Sequence, residues 1–352
     1  MQITAQQIFE DRTPKDELAQ LLGNKAAIIE NIAAFESGKS GDLVFAPNQS
    51  AVTTALKNKV ALIVLPKKLA QFIPPNTSKT AFILSNNIGV SHARLKQKYA
   101  DHDYTKSGWE TIHPSAIIHE SVTIPKGTNI GPNVVIEKGV TLGKDCRIMA
   151  NVVLEHGAKI GNNVTIHPGT IIGWDCEIGD NCLFLSNSVI GGEGFGYAQD
   201  QYFNHHRIPQ TGKVIIGNKV TIGALNTIDR GTYGPTIIGN GCIFDNMCHV
   251  AHNVKLGENC IILSGFLCAG SSILGNRVVA SGGTMIKDHV EICDNTYLVH
   301  RAGVIKNITK PGVYAGSPVL PMQEYVKSNA IYRELGELRK MVLELTEKLA
   351  KK

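Results

Sequence analysis

An aliphatic residue recurs at every sixth position from Ile112 onward, and this period constrains the chain more than any other feature in it. Ile112, Ile118, Ile124, Ile130, Ile136, Leu142, Ile148, Leu154, Ile160, Ile166, Ile172 and Ile178 follow without a miss. The register continues through Phe184 and Ile190, breaks, returns at Ile216, Ile222 and Ile228, and then runs from Ile238 to Val304. Four residues after the anchor there often stands a small apolar residue, usually Val or Cys. A Gly often follows the anchor directly, as at Ile130-Gly131 and Ile160-Gly161. A short fixed period means stacked repeats that bury their apolar faces only against one another. Three hexads close a triangular coil of 18 residues, and the Gly or an Asn is expected to supply the unusual backbone angles of each corner. The expected fold is mainly β, a left-handed parallel β-helix, which departs from the usual right-handed crossover.

Two interruptions break the repeat. Ile190 to Ile216 holds a non-repetitive insertion that includes Gly194-Phe195-Gly196-Tyr197, His205-His206 and Ile208-Pro209-Gln210, and Thr232 to Pro235 lengthens one corner. Long insertions in a solenoid tend to carry function. Residues 1–105 lack the hexad and read as an α/β domain. Helical spacing is expected from Gln6 to Leu22, at Gln49 to Leu56 and at Val90 to Tyr99, with strands at Ala61 to Leu65 and Ala81 to Leu84. The polar stretch Asp101 to Glu110 joins this domain to a β-helix over 106–317. Beyond Pro318 and Pro321, Ile331, Leu335, Leu338, Val342, Leu345 and Leu349 form a heptad seam, so 318–352 is expected to be a helix packing on copies of itself, most simply in a homotrimer.

Composition excludes several classes. No apolar stretch approaches the ~18 residues of a membrane span, and Met1-Gln2-Ile3-Thr4 does not read as a secretory leader, so a cytoplasmic location is expected. The net charge of +5 is spread out and not interleaved with aromatics, which argues against nucleic acid and allows an acidic protein or phosphorylated substrate. Of eight cysteines, Cys146, Cys176, Cys182, Cys242, Cys248 and Cys260 fall on the small inward position and Cys268 on an anchor. They read as buried thiols, with no C-x-x-C pair and no metal expected.

The twelve histidines separate by position. His113, His119 and His167 follow anchors and read as corner residues. His205 and His206 lie in the insertion, where contact with a ligand and simple solvation both remain open. His252 and His289 are 37 residues apart, two coils and one residue, so they share one edge of the prism, and Gly270 is one coil from His252. A base beside an unhindered backbone N–H suits acyl transfer, in which an oxyanion must be held close to the base.

Several motifs add a resemblance. Thr227-Ile228-Asp229-Arg230-Gly231, Asp245-Asn246, Val250-Ala251-His252-Asn253-Val254, Gly194-Phe195-Gly196-Tyr197-Ala198 and His289-Val290-Glu291-Ile292-Cys293 together resemble the UDP-3-O-acylglucosamine N-acyltransferases of lipid A biosynthesis. The resemblance implies transfer of a 3-hydroxyacyl group from acyl carrier protein to the 2-amine of a UDP-3-acyl-glucosamine. No tightly bound cofactor is implied, the acyl group arriving as an acyl-phosphopantetheine on the carrier. By the same resemblance His252 is the catalytic base, Asp245 orients it, Gly270 is the oxyanion donor, and His289 lies near the substrate. Asn246 and the loop Gly194, Phe195, Gly196 and Tyr197 would line the substrate and phosphopantetheine clefts. The N-terminal domain would bind uridine through Phe45 and Asn48. The family's uracil-stacking tyrosine falls at Ala51, where a restored tyrosine is expected to be tolerated, and His249 replaces a more usual Gln. A γ-type carbonic anhydrase would need a third zinc-binding histidine that is not apparent. A hexapeptide transferase using acetyl-CoA on another nucleotide amino sugar remains the alternative.

Overall fold

A computed structural model describes residues 1–75, 78–103 and 111–350, so most of the expected linker lies outside the described residues. The chain divides into two compact units, Met1–Tyr104 and Thr105–Lys352.

The first unit is built on a five-stranded sheet in the order Leu18–Gly23, Ala81–Ser85, Leu62–Pro66, Asp42–Phe45, Asn31–Ala33. All neighbours are parallel except the first pair. Strands buried on both faces read as continuous apolar runs, which is why Leu62–Pro66 and Ala81–Ser85 were legible without alternation. One apolar cluster joins helix α1 (Ala5–Glu10) and helix α3 (Ile88–Ala100) to the sheet through Ile8 and Leu95. A second holds helix α2 (Gln49–Lys57) through Ala51, Val52 and Ala55. The helix expected from Gln6 to Leu22 is confined to α1. Pro14 opens a separate 3-10 turn, Glu17 takes a left-handed φ of 60°, and Leu18–Gly23 then pairs with the sheet. Leu18 and Leu21 serve the core from a strand, so tertiary burial overrides their helical spacing.

The second unit is the β-helix. Its two- to four-residue strands form three parallel sheets of ten, eight and eleven strands, closed at one end by an antiparallel pair. In regular coils each strand pairs with the strand 18 residues away, as Val135 with Val153. The anchors fill the interior together with the small positions, and all eight cysteines are free, seven of them buried.

The corners bear out the expectation for Asn but not for the glycine directly after the anchor. The left-handed backbone falls three residues after the anchor, at Asn133, Asp145, Asn151, Asn163 and their successors. The glycines directly after the anchor are required by close approach instead. A Cβ on Gly143 would lie 2.4 Å from the Gly161 carbonyl carbon, and one on Gly239 would lie 2.5 Å from the Gly257 oxygen. Successive coils touch there backbone to backbone. Beyond the last coil, helix α4 (Met322–Ala350) buries none of its residues, and its heptad seam is exposed along its length.

Gly239→Ala should therefore cost about 1–3 kcal/mol in a thermal or denaturant melt, the usual range for an overpacked site. Gly234→Ala, where a new Cβ meets nothing within 4 Å, should leave the melt nearly unchanged.

Candidate active site

Each coil turns a corner between the ten-stranded and the eight-stranded sheet, and three such corners in succession carry His252, Gly270 and His289. The ladder that stacks them runs from Ser271 N–H to the His252 carbonyl at 2.9 Å and from His289 N–H to the Gly270 carbonyl at 3.1 Å. A Cβ on Gly270 would fall 2.5 Å from His252 Cε1 and 2.7 Å from Nε2, so the Gly270 backbone lies against the imidazole. The N–H groups of Ala269 and Ser271 are used in the ladder, whereas that of Gly270 has no backbone partner among the described residues. His289 is exposed and pairs through Nδ1 with Asp288 at 3.0 Å, a bond that holds the Asp288 carboxyl below its usual range.

Asn253 meets His252. Its Oδ1 lies 3.2 Å from His252 Nδ1 and also accepts the Thr232 N–H at 3.0 Å, while its Nδ2 donates to the Gly234 carbonyl at 3.4 Å. An oxygen fixed in this way accepts from Nδ1–H, which leaves Nε2 as the bare, basic nitrogen on the Gly270 side. Thr232 Oγ1 in turn donates to Gln210 Oε1 at 2.8 Å, and Gln210 Nε2 donates to the Ile208 carbonyl at 2.9 Å. Both insertions thus end in one network beside His252. Their lengths were visible in the sequence, but the roles of Asn253, Thr232 and Gln210 were not, because the contacts span 21 and 22 residues.

The long insertion forms a hairpin, Tyr197–Gln199 against His205–Arg207. Asp200 shapes its tip, accepting from the N–H groups of Tyr202 and Asn204 and pairing with His206 Nε2 at 2.9 Å, so its carboxyl is drawn down to about 2. Gly194 and Gly196 have steric causes: a Cβ on the first would meet His252 Cβ at 2.8 Å, and on the second Gln210 Nε2 at 2.5 Å. Phe195 is 81% exposed and lies 5.1 Å from the Tyr197 ring. Arg230, 2% exposed, fastens both ends of the insertion. It donates from Nε to the Gly191 carbonyl, from Nη1 to the Gly212 carbonyl (both 2.8 Å) and from Nη2 to the Trp174 carbonyl at 3.0 Å, with its guanidinium 3.6 Å above the Trp174 ring.

Not every expected residue joins this edge. Asp245 and Asn246 occupy the next corner of the prism, between the eleven-stranded and ten-stranded sheets. The Asp245 carboxylate accepts from the N–H groups of Asn246 at 2.8 Å and Ser264 at 3.3 Å, and Asn246 Oδ1 accepts from Ala224 N–H at 2.7 Å. Within one chain the residue that holds the imidazole is Asn253. His113 and His119 behave as corner residues, each pairing Nδ1 with a serine hydroxyl two residues on. Among the described residues no group of three or more His, Cys, Asp or Glu could hold a metal ion.

In the first unit, Phe45 and Pro47 line a cavity of about 490 Å³ with Ile32, Ile88, His92 and Lys96. The Phe45 ring stacks on His92 with centroids 4.2 Å apart, a partner that nothing in the sequence singled out. Asn48 caps α2, its Oδ1 accepting Ala51 N–H at 2.9 Å. Ala51 itself is fully buried in the core, so a tyrosine there would overpack it, contrary to the expectation that one would be tolerated.

Comparisons with known proteins agree with this architecture. Residues 112–209 match the family described as the GMPPB C-terminal domain, and residues 235–265 match the bacterial transferase hexapeptide (six repeats). The UDP-N-acetylglucosamine acyltransferase of Arabidopsis, a solved structure, superposes with a TM-score of 0.54 at 23% identity, over 62% of this chain and 76% of that one, which speaks for the fold. The UDP-3-O-acylglucosamine N-acyltransferase of Methylococcus capsulatus is 44% identical over 99% of this chain and 98% of its own length. The enzyme of the same name from Bordetella avium is 43% identical over 90% of this chain and 88% of its own. With the hexapeptide coils, the insertion and the first unit all within the aligned span, the chain belongs to the UDP-3-O-acylglucosamine N-acyltransferase family.

Proposed function

We propose that this N-acyltransferase moves a 3-hydroxyacyl group from acyl carrier protein to the 2-amine of a UDP-3-acyl-glucosamine, with His252 as general base. The observation that carries the chemistry is the apposition of His252 and Gly270. In this reading Nε2 takes the proton that leaves the amine as the C–N bond forms. The Gly270 N–H holds the thioester oxygen as it becomes an oxyanion, and the proton passes on to the departing sulfur. His289 and the loop from Gly194 to Tyr197 then face the bound substrates. The acyl group comes on the carrier's phosphopantetheine, and a cytoplasmic location accompanies those substrates.

A homotrimer belongs to the same reading. Ile243, Ile261, Met247, Leu263, Leu267 and Met285 are exposed on the ten- and eleven-stranded sheets and the corner between them, alongside the bare seam of α4. Self-association would cover both. Asp245, which belongs to that corner, would then act on a neighbouring chain rather than on its own His252.

Purified protein supplied with 3-hydroxyacyl carrier protein and the UDP-sugar should form an amide-linked product detectable by mass spectrometry. Turnover with acetyl-CoA on another amino sugar, and none here, would overturn the reading. His252→Ala should lower kcat by roughly 10² to 10⁴ without changing the melt. Gly270→Ala should act similarly, because its methyl would enter the imidazole's space.

Truncation after Pro321 removes α4 alone. It should raise KM for the acyl carrier protein substrate and leave the acceptor KM in place, the carrier being acidic and the helix offering the adjacent cations Arg339 and Lys340, although its five Glu balance its five basic residues overall. An unchanged donor KM with a lower oligomeric mass would make the helix an assembly element only.

Uridine is placed against the Phe45–His92 pair. Because Phe45 also belongs to the core, Phe45→Leu is the informative change: it keeps apolar bulk and removes the ring. Loss of stacking, about 1–3 kcal/mol, should raise the acceptor KM by about tenfold or more while the donor KM stays put. An unaltered acceptor KM would move the nucleotide elsewhere.

A further inference from the structure

Asp229 and His249 form a half-buried pair on the outer face of the ten-stranded sheet, beside the catalytic corner and outside the roles assigned above. His249 opens the strand that leads to His252, three residues before it. Asp229 lies one coil away on the pairing strand, in the register where Ile228 faces Val250. His249 Nε2 is 3.8 Å from Asp229 Oδ2, with the two side chains 39% and 14% exposed. Thr227 Oγ1 and His249 Nδ1 are 2.7 Å apart, which fixes the ring and turns Nε2 toward the carboxyl.

The surroundings leave this pair to itself. Arg230 follows Asp229 but turns its guanidinium to the Gly191, Gly212 and Trp174 carbonyls. Glu193, beyond the strand on the other side, is paired with Arg207. His252 is engaged by Asn253. Burial pushes the Asp229 carboxyl up to about 7 and the His249 imidazole below its usual value.

Proton balance gives such a pair a task. An amine that arrives as an ammonium ion loses two protons on becoming an amide. One must leave before attack, since the ammonium has no lone pair. The other leaves as the C–N bond forms and, through His252, ends on the sulfur when the C–S bond breaks. His252 serves the second transfer; the first goes to solvent when the amine binds neutral, and to another acceptor in the site when it binds as ammonium. Resting on the reaction proposed above, we infer that Asp229 with His249 takes that first proton and gives it up to solvent between turnovers.

The test is kcat/KM against pH for the full-length enzyme, Asp229→Asn, His249→Gln and His252→Ala, with melts of each. Asp229→Asn should lose about tenfold at pH 6.5 and less than about twofold at pH 9, where the acceptor amine is neutral unaided. The acid limb should change from two groups to one, and His249→Gln should move the same way. An equal loss at every pH, or no loss, for a variant that melts like the parent would overturn the inference. If Asp229→Asn melts lower, the high-pH recovery of His249→Gln decides. Inactivity of the parent toward this acceptor would instead sink the reaction itself.

Discussion

Backbone contact between successive coils is the constraint on which the second unit depends. At Gly143 and Gly239 the next coil's carbonyl occupies the space a side chain would need, so the stack keeps its spacing only if those positions stay bare. The same stacking makes any residue of one coil a direct neighbour of its counterpart in the next, 18 residues on in a regular coil and further where an insertion intervenes. A polar ladder exploits this at one edge, where Asn162 N–H bonds to Asp180, Asp180 N–H to Asn218 and Asn218 N–H to Asn240. Amides along this ladder find their acceptors one coil away, so these corners leave few orphaned groups.

The geometry of the candidate site is a use of that stacking. Gly270 is bare for the reason that Gly239 is bare, except that its neighbour is an imidazole rather than a carbonyl. A rigid repeat therefore sets the spacing between the His252 imidazole and the Gly270 backbone without any dedicated loop. The insertions supply what a regular coil lacks. Arg230 binds the carbonyls at both ends of the long insertion, and Asn253, Thr232 and Gln210 join both insertions to the back of His252. A buried guanidinium satisfied by three carbonyls and an indole face needs no carboxylate partner, and it would be costly to leave unmatched.

The hexad was readable because its cause is local and periodic: one aliphatic residue per strand, one small residue per corner, repeated until chance is excluded. Coil arithmetic then placed His252, Gly270 and His289 on one edge, since position in a solenoid is a linear function of residue number. The same arithmetic could have separated Asp245 from His252, because seven residues span one strand and one corner; the family resemblance suggested otherwise, and within a single chain Asn253 does the orienting. The glycines directly after the anchors were assigned the wrong cause, since closeness between coils is invisible to a reading of single residues.

What the sequence determined by itself was the β-helix, its register, the place of its cysteines and the edge that carries the histidines. Tertiary structure decided the rest where packing crosses sequence distance. Leu18–Gly23 became a strand because its leucines were needed by a sheet, against their helical spacing. Ala51 proved to be core, so the ring beside Phe45 is His92, contributed by another helix. Asp229 and His249 met because their strands are adjacent in the stack, and burial altered two side chains that in an unfolded chain would be ordinary. Periodicity is a property of the chain, whereas desolvation and contact between distant residues exist only once it has folded.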